Sequence, residues 1–258
     1  MIIMSKVKVD FSGKVALVTG AGKGIGKGIA LAFAETGARV AGVSRTASDL
    51  EALEKEIKAM GGDCFTTTCD VSNVSQIYEM VDKVAAWSGD RIDILVNCAG
   101  VNKLTRMIDI TEEEWDRIIN INLKGTAFTS QAVAKKMIPK KAGKIINLTS
   151  QMAFIGWYDR GAYCASKGGV TQLTKVLAVE WAEHNIQVNC VAPTFIKTPL
   201  TEPMFENKEF KEAVIRSSPM GKIGTPDDVV GAVFYLASDS ANLVTGSSIL
   251  VDGGWTAW

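Results

Sequence analysis

Residues 15–26, VALVTGAGKGIG, decide the fold of this chain. The apolar run at residues 15–19 predicts a short buried strand, which leads into a turn containing Gly20, Gly22, Gly24 and Gly26. Residues 29–34, IALAFA, then show the apolar spacing of a helix. A strand, a glycine-rich turn and a helix in this order predict the first βαβ unit of an open α/β sheet.

The same alternation continues along the chain. Further strands are predicted at residues 39–43, 63–68, 92–97, 144–148, 186–191 and 247–251. Helices are predicted at 48–60 with Ser48 or Asp49 as the cap, at 73–87, from Thr111 as a long helix opened by a capping box, at 161–183 and from about Pro226. Strands that alternate with helices predict an α/β fold: a doubly wound parallel seven-stranded sheet, Rossmann-like, in a single domain over residues 1–258.

Residues 193–225 interrupt this alternation of strands and helices, because they contain four prolines and no strand pattern. A connection of this length in a compact domain is usually functional. Met204, Phe205 and Phe210 give it apolar side chains. We therefore predict a substrate lid at about 194–225.

The composition excludes several classes of function. The chain has 258 residues, with 28 Lys plus Arg and 28 Asp plus Glu, and no basic run, which argues against nucleic acid as a partner. No apolar run approaches the ~18 residues of a membrane span, so no membrane partner is expected and the protein is predicted to be cytoplasmic. Five scattered cysteines predict reduced thiols. The single histidine, His184, excludes multi-histidine metal sites, and no metal is expected.

The glycine-rich turn predicts a dinucleotide site. Glycines let the backbone approach a pyrophosphate, and the helix that follows offers free N–H groups at its positive end. The spacing is GxxxGxG, and the residues predicted to contact the cofactor are Gly20, Lys23, Gly24, Ile25 and Gly26.

The end of the second strand predicts which dinucleotide is bound. An acidic residue would bind the ribose hydroxyl of NAD there, but the chain has Ser44 and Arg45 instead. With Lys23 in the turn, Arg45 suits the 2'-phosphate of NADP, since a guanidinium binds phosphate through two hydrogen bonds. NADP(H) is therefore favoured over NAD(H), the alternative being that both cations face water. Asp49 is interpreted as a helix cap.

Two further strand ends fall where the cofactor crevice is expected. Asp70 and Val71 follow the third strand, and Asn97, Ala99 and Gly100 end the fourth. A carboxylate or amide at this edge can hydrogen-bond adenine, and the small residues leave room for a flat ring. Each of them also occurs in ordinary turns.

Tyr163 and Lys167 are four residues apart in a predicted helix, so their side chains share one face. A neighbouring cation stabilises a phenolate, which would bring the phenol pKa from about 10 toward neutrality and make Tyr163 a proton donor or acceptor. The alternative is a solvated helix face.

With these motifs the chain resembles the short-chain dehydrogenase/reductases over essentially its whole length. The matching motifs are residues 19–26, Asp70, 97–100, Asn122, Ser150, 163–167 and Pro193-Thr194. The resemblance implies a catalytic tetrad in which Tyr163 is the general acid/base, Lys167 lowers its pKa and holds the nicotinamide ribose, Ser150 orients the substrate, and Asn122 anchors a proton-relaying water.

The same resemblance implies further contacts. Pro193, Ile196 and Thr198 are expected at the nicotinamide, and Ser150, Gln151, Tyr163 and Thr194 at the substrate. Cys98 and Thr194 depart from the usual family residues, and we expect altered packing there with activity retained. A homotetramer is implied, with Trp258 as a candidate interface residue.

The sequence thus predicts an oxidoreductase that transfers a hydride between NADP(H) and a secondary alcohol or ketone. A polar and aromatic lining favours a small polar carbonyl compound such as a sugar acid or polyol. One alternative is an acyl-carrier-protein 3-ketoacyl reductase, with Lys135, Lys136, Lys140 and Lys141 as a basic cluster. Another is a non-catalytic dinucleotide-sensing regulator, against which the complete tetrad argues.

Overall fold

A computed structural model describes residues 9–257, and Trp258 lies outside them. Seven strands form one parallel sheet in the order β3-β2-β1-β4-β5-β6-β7, which confirms the predicted doubly wound α/β fold. The strands are β1 Val15–Thr19, β2 Arg39–Ser44, β3 Cys64–Thr68, β4 Ile94–Asn97, β5 Gly143–Leu148, β6 Ile186–Pro193 and β7 Ser248–Val251.

Helices cover both faces of this sheet. They are α1 Gly24–Glu35, α2 Ala47–Ala59, α3 Val74–Ser88, α4 Glu112–Ile119, α5 Gly125–Met137, α6 Gly161–Trp181, α7 Lys208–Ser217 and α8 Pro226–Ala237. Ala16 and Val18 of β1 pack into one apolar cluster with α1 and α8, whereas Leu17 packs into a second cluster with α3, α5 and α6. A strand buried on both faces is typical of a parallel sheet.

The long helix predicted from Thr111 is interrupted. One turn of π-helix at Asn120–Lys124 separates α4 from α5 and carries Asn122. Only half of the predicted capping box forms, because the Thr111 hydroxyl accepts from the Glu114 N–H while the Glu114 carboxylate binds Lys103 and Thr105 instead. A π turn inserted into a helix often marks a functional site.

The cap of α2 also differs from the prediction. Thr46 occupies the cap position, and Asp49 lies inside the first turn, where its carboxylate pairs with Lys23 at 3.1 Å. The Asp49 side chain therefore faces the glycine turn rather than its own helix end.

The segment after β6 contains a helix that the sequence pattern does not reveal, α7. Phe205 and Phe210 turn inward and pack with Phe195 and Trp255 in a third apolar cluster. None of the helices within residues 9–257 combines the length and the apolar character that crossing a bilayer requires.

Candidate active site

A cavity of about 560 Å³ opens at the carboxyl ends of β1, β2 and β4, where a doubly wound sheet binds its ligands. The residues of the predicted cofactor set that line it are Gly20, Lys23, Gly24, Ile25, Gly26, Ser44, Arg45, Asp70, Val71, Ala99, Gly100 and Thr198. The lining also includes residues that the sequence reasoning did not assign to the cofactor: Cys69, Cys98, Val101, Asn102, Arg117, Ile121, Pro199 and Leu200.

The glycine turn has no room for side chains. Gly20 has a φ of 69°, and a Cβ there would lie 2.9 Å from the backbone of Ala99. A Cβ on Gly26 would lie 2.2 Å from the Gly20 carbonyl oxygen. The turn therefore folds back on itself and leaves the N–H groups at the start of α1 beside the cavity, an arrangement that suits a pyrophosphate.

The side-chain hydroxyl of Thr19, at the end of β1, connects β1 to the residues that follow β4. Thr19 Oγ1 accepts hydrogen bonds from the N–H groups of Cys98 at 3.1 Å and Ala99 at 3.2 Å. The end of β1 is thereby fixed to the end of β4. This contact holds the glycine turn against the small residues that follow β4.

The two predicted phosphate-binding cations differ in their surroundings. Arg45 is exposed, lines the cavity and forms no ion pair with a residue of the described part of the chain. Lys23 is held by the Asp49 carboxylate. Lys23 is therefore partly neutralised, whereas the role of both cations in binding the 2'-phosphate stays a prediction.

Asp70 is held in place by its own turn. Its Oδ1 accepts from the N–H and the hydroxyl of Ser72 at 2.9 Å and 2.8 Å. Burial acts to raise the pKa of the Asp70 carboxyl, but these hydrogen bonds outweigh burial and the pKa is lowered. The group is an anionic acceptor at the rim of the cavity.

Asn97 requires a correction. Its side chain is 3% exposed and donates to Ser130 and Asn147 at 2.9 Å and 2.8 Å, so it does not line the cavity. Both amide hydrogens are used inside the protein, because Asn97 links β4 to α5 and β5. A side-chain contact with adenine is therefore excluded in this geometry.

A second cavity, of about 80 Å³, lies beside the first. It is lined by all four predicted substrate residues, Ser150, Gln151, Tyr163 and Thr194, and by Asn102, Met152, Arg160, Phe195, Leu200, Thr201 and Met204. Asn102 and Leu200 line both cavities, so the two spaces are neighbours. A ligand in the smaller cavity would lie next to one in the larger.

Tyr163 and Ser150 are the two hydroxyl-bearing residues of the predicted tetrad, and both line the smaller cavity. The Ser150 hydroxyl accepts from the Met152 N–H at 3.2 Å and donates to the Pro193 carbonyl at 3.5 Å, which fixes it at the end of β5. Burial raises the pKa of the Tyr163 phenol, and interaction with the Ser150 hydroxyl opposes this effect. At neutral pH the phenol is therefore a neutral proton donor.

Lys167 does not act on this pKa as the sequence predicts. Its Nζ lies 5.7 Å from the Tyr163 ring centroid and donates to the Leu148 carbonyl at 2.7 Å. Burial lowers the pKa of the Lys167 ammonium to about 8. The pKa of the Tyr163 phenol is thus raised, where the sequence predicts that it is lowered, because burial disfavours the charged form of the phenol.

Asn122 connects the π turn to the catalytic helix. Its amide exchanges two hydrogen bonds with the backbone of Val101 and donates to Ser166 Oγ at 3.0 Å. Ser166 Oγ in turn donates to the Tyr163 carbonyl at 2.7 Å. The Asn122 side chain therefore connects α6 to the loop after β4, and its predicted role in anchoring a proton-relaying water stays a prediction.

Four of the predicted cofactor residues lie outside both cavities, namely Asn97, described above, and Lys167, Pro193 and Ile196. Lys167 is 6% exposed, Pro193 ends β6 and is buried, and Ile196 is 2% exposed with its side chain packed against Gly224.

Cys98 stands where the family usually has a different residue. Burial raises the pKa of the Cys98 thiol to about 12, so the thiol stays protonated at neutral pH. Arg160 is a site residue that the sequence reasoning missed, although its position three residues before Tyr163 places it near the same face of α6.

Known proteins share this architecture. A family model described as "Enoyl-(Acyl carrier protein) reductase" matches residues 20–256. D-threitol dehydrogenase from Mycolicibacterium smegmatis is 40% identical over 255 residues, which is 97% of this chain and 97% of the relative. A 3-oxoacyl-[acyl-carrier-protein] reductase from Thermotoga maritima is 41% identical over 242 residues, 94% of this chain and 97% of the relative.

Among solved structures, a gluconate 5-dehydrogenase from Burkholderia cenocepacia in complex with NADP and tartrate superposes with a TM-score of 0.93. It is 32% identical, and the match covers 97% of this chain and 98% of that one. The family model and both relatives span nearly the whole chain. The chain belongs to the short-chain dehydrogenase/reductase family.

Proposed function

We propose that the protein is an NADP(H)-dependent oxidoreductase that interconverts a secondary alcohol and a ketone in a small polar compound such as a sugar acid or polyol. The observation that carries this proposal is the pair of adjoining cavities, one lined by the glycine turn and the other by Ser150 and Tyr163. The names of two relatives support it, a D-threitol dehydrogenase and a gluconate 5-dehydrogenase, whereas the 3-oxoacyl-[acyl-carrier-protein] reductase supports the alternative.

The residues present fit a dinucleotide, because the glycine turn is folded tightly on itself and the start of α1 lines the larger cavity, where its N–H groups can bind a pyrophosphate. The cofactor, when bound, supplies or accepts the hydride. Tyr163 gives its phenolic proton to the oxygen of the carbonyl substrate during reduction and takes it back during oxidation. Ser150 holds that oxygen beside the phenol, and the segment at 194–225 is proposed to cover the substrate.

Cofactor preference is proposed to depend on Arg45. We expect Arg45→Ala to lower kcat/KM with NADPH about 10- to 100-fold, since a hydrogen bond to a charged group contributes about 1.5–3 kcal/mol. The value with NADH should hardly change. Lys23→Ala, the matched control, should have the smaller effect because Lys23 is already paired with Asp49. A wild-type preference for NADH, or equal losses with both cofactors, would contradict this assignment.

The acyl-carrier-protein alternative needs a basic docking surface, and the structure weakens the predicted one. Lys136 pairs with Asp82 at 3.2 Å, and both Lys136 and Lys140 lie 3.6 Å from Asp90. These ion pairs neutralise much of the cluster. The regulator alternative would not need the tyrosine at all.

A panel of substrates separates these candidates. We expect ketoses, keto acids and the corresponding alcohols to be turned over with NADPH or NADP, and acetoacetyl thioesters to be poor substrates, because the smaller cavity has a volume of only about 80 Å³ and contains the polar side chains of Gln151, Arg160 and Thr194. The measurement is the change in NADPH absorbance with each compound. Turnover of the thioester alone would support the carrier-protein reductase, and turnover of none would support the regulator.

A further inference from the structure

Arg160 is a buried cation with an unused donor in the smaller cavity. It immediately precedes α6 and is 4% exposed. Its Nη1 donates to the Tyr158 carbonyl at 2.8 Å, whereas its buried Nη2 has no hydrogen-bond partner. No carboxylate within residues 9–257 forms an ion pair with it, and the neighbouring Asp159 side chain is exposed.

Two aromatic rings complete the surroundings of the guanidinium. Its central carbon lies 5.5 Å from the ring centroid of Phe195 and 5.7 Å from that of Phe210. Such contacts stabilise a cation modestly but accept none of its hydrogen bonds. Burial lowers the pKa of Arg160, yet a guanidinium stays charged in proteins, so an uncompensated positive charge remains.

The same cavity contains other polar groups without partners. Gln151 is 1% exposed, and neither its Oε1 nor its Nε2 makes a hydrogen bond. Thr194 Oγ1 and Asn102 Oδ1 are likewise buried and unpartnered. Buried polar groups nearly always have hydrogen-bond partners in native proteins. Together with Arg160, these three residues line the smaller cavity. Such a cluster is typical of a site that a polar ligand completes.

We propose that Arg160 binds a carboxylate of the substrate and that Gln151 binds a hydroxyl or carbonyl oxygen of the same molecule. The inference rests on the proposed function and narrows its substrate class to hydroxy acids and keto acids. A guanidinium can grip a carboxylate through two parallel hydrogen bonds. Because Arg160 and Tyr163 line the same small cavity, the carboxylate would be only a few bonds from the carbon that reacts beside Tyr163.

Other substrates fit this environment less well. A polyol would leave the buried charge without a counter-ion, and an acyl chain would place apolar carbon against it, which carries the desolvation cost of an unpaired ion. A carboxylate supplies both the opposite charge and the missing acceptor. The site therefore discriminates by charge as well as by size.

The test compares acids with polyols of equal chain length: glycerate with glycerol, tartrate with threitol, and gluconate with glucitol. Calorimetric binding to the NADP-loaded enzyme and kcat/KM are both measured. We expect wild type to bind at least one acid more tightly than its polyol. Arg160→Gln should weaken binding of that acid about 100-fold, since removing one partner of a buried charge pair has effects of this size. Arg160→Lys should be intermediate, because it keeps the charge but loses the planar fork.

Arg216→Gln is the matched control, because Arg216 is exposed in the last turn of α7 and lines neither cavity. It should bind the acids as wild type does. Equal wild-type affinity for acids and polyols, or equal losses of both in folded Arg160→Gln, would overturn the inference. Turnover of uncharged ketones without any acid preference would leave the proposed function standing. Arg160-dependent acid binding without turnover of any compound would instead refute the function and keep the carboxylate site.

Discussion

Tyr163→Phe is expected to lower kcat for carbonyl reduction about 10²- to 10⁴-fold, the range that a positioned general acid contributes. The substitution removes only the phenolic oxygen, and the ring still fills its place in the apolar cluster with Phe195 and Trp255. NADPH binding should persist, because Tyr163 lies in the smaller cavity and the glycine turn in the larger. Stopped-flow kinetics and fluorescence titration of NADPH measure the two effects separately.

Tyr158→Phe is the matched control for this substitution. The substitution makes the same chemical change at a side chain that is 84% exposed, so the turnover of Tyr158→Phe should equal that of wild type. The wild-type rate of alcohol oxidation should also rise with pH, since the raised phenol pKa leaves little base at neutrality. Tyr163→Phe should lose this rise. Unchanged turnover in Tyr163→Phe would refute the mechanism.

Gly26→Ala is expected to weaken NADPH binding about tenfold or more. The added Cβ would lie 2.2 Å from the Gly20 carbonyl oxygen, so the turn must open to accommodate it. Overpacking of this kind costs about 1–3 kcal/mol in the free energy of unfolding. A loss of the same free energy from the NADPH complex weakens NADPH binding about tenfold or more, because each 1.4 kcal/mol changes the dissociation constant about tenfold.

Gly231→Ala controls for the general effect of adding a methyl group. Gly231 lies within α8 and is exposed, and a Cβ there meets no atom within 4 Å. Alanine favours a helix over glycine, so this variant should be as stable as wild type or slightly more stable. Chemical denaturation and NADPH titration are compared for both variants. Normal NADPH affinity in Gly26→Ala would show that the turn does not hold the cofactor.

The sequence was sufficient for the parts of the fold that local patterns encode. The apolar run before Gly20 predicts β1, and the helical spacing of the apolar residues after the turn predicts α1. The two can be distinguished because apolar residues repeat with different periods in strands and in helices, and the glycines mark the turn between them. The four candidate substrate residues also line one cavity, since the chain order of the βα units places strand ends side by side.

Features that depend on contacts between distant residues were not predictable from the pattern. The Lys23–Asp49 ion pair joins the first turn to the second helix, and the inward hydrogen bonds of Asn97 require β5 and α5. The pKa directions of Tyr163 and Lys167 follow from burial, which spacing on one helix does not reveal. The sequence also contains Arg160, but only the structure shows its unpartnered donor.

The position of Arg160 between Phe195 and Phe210 has a consequence for how this protein can diverge. The same guanidinium that faces the small cavity also holds the segment containing α7 against the rest of the molecule. A mutation that erased selectivity for charge would loosen that segment at the same time. Under the proposed carboxylate site, a change toward neutral substrates therefore requires compensating changes at Phe195 and Phe210. Substrate specificity and stability are coupled at Arg160.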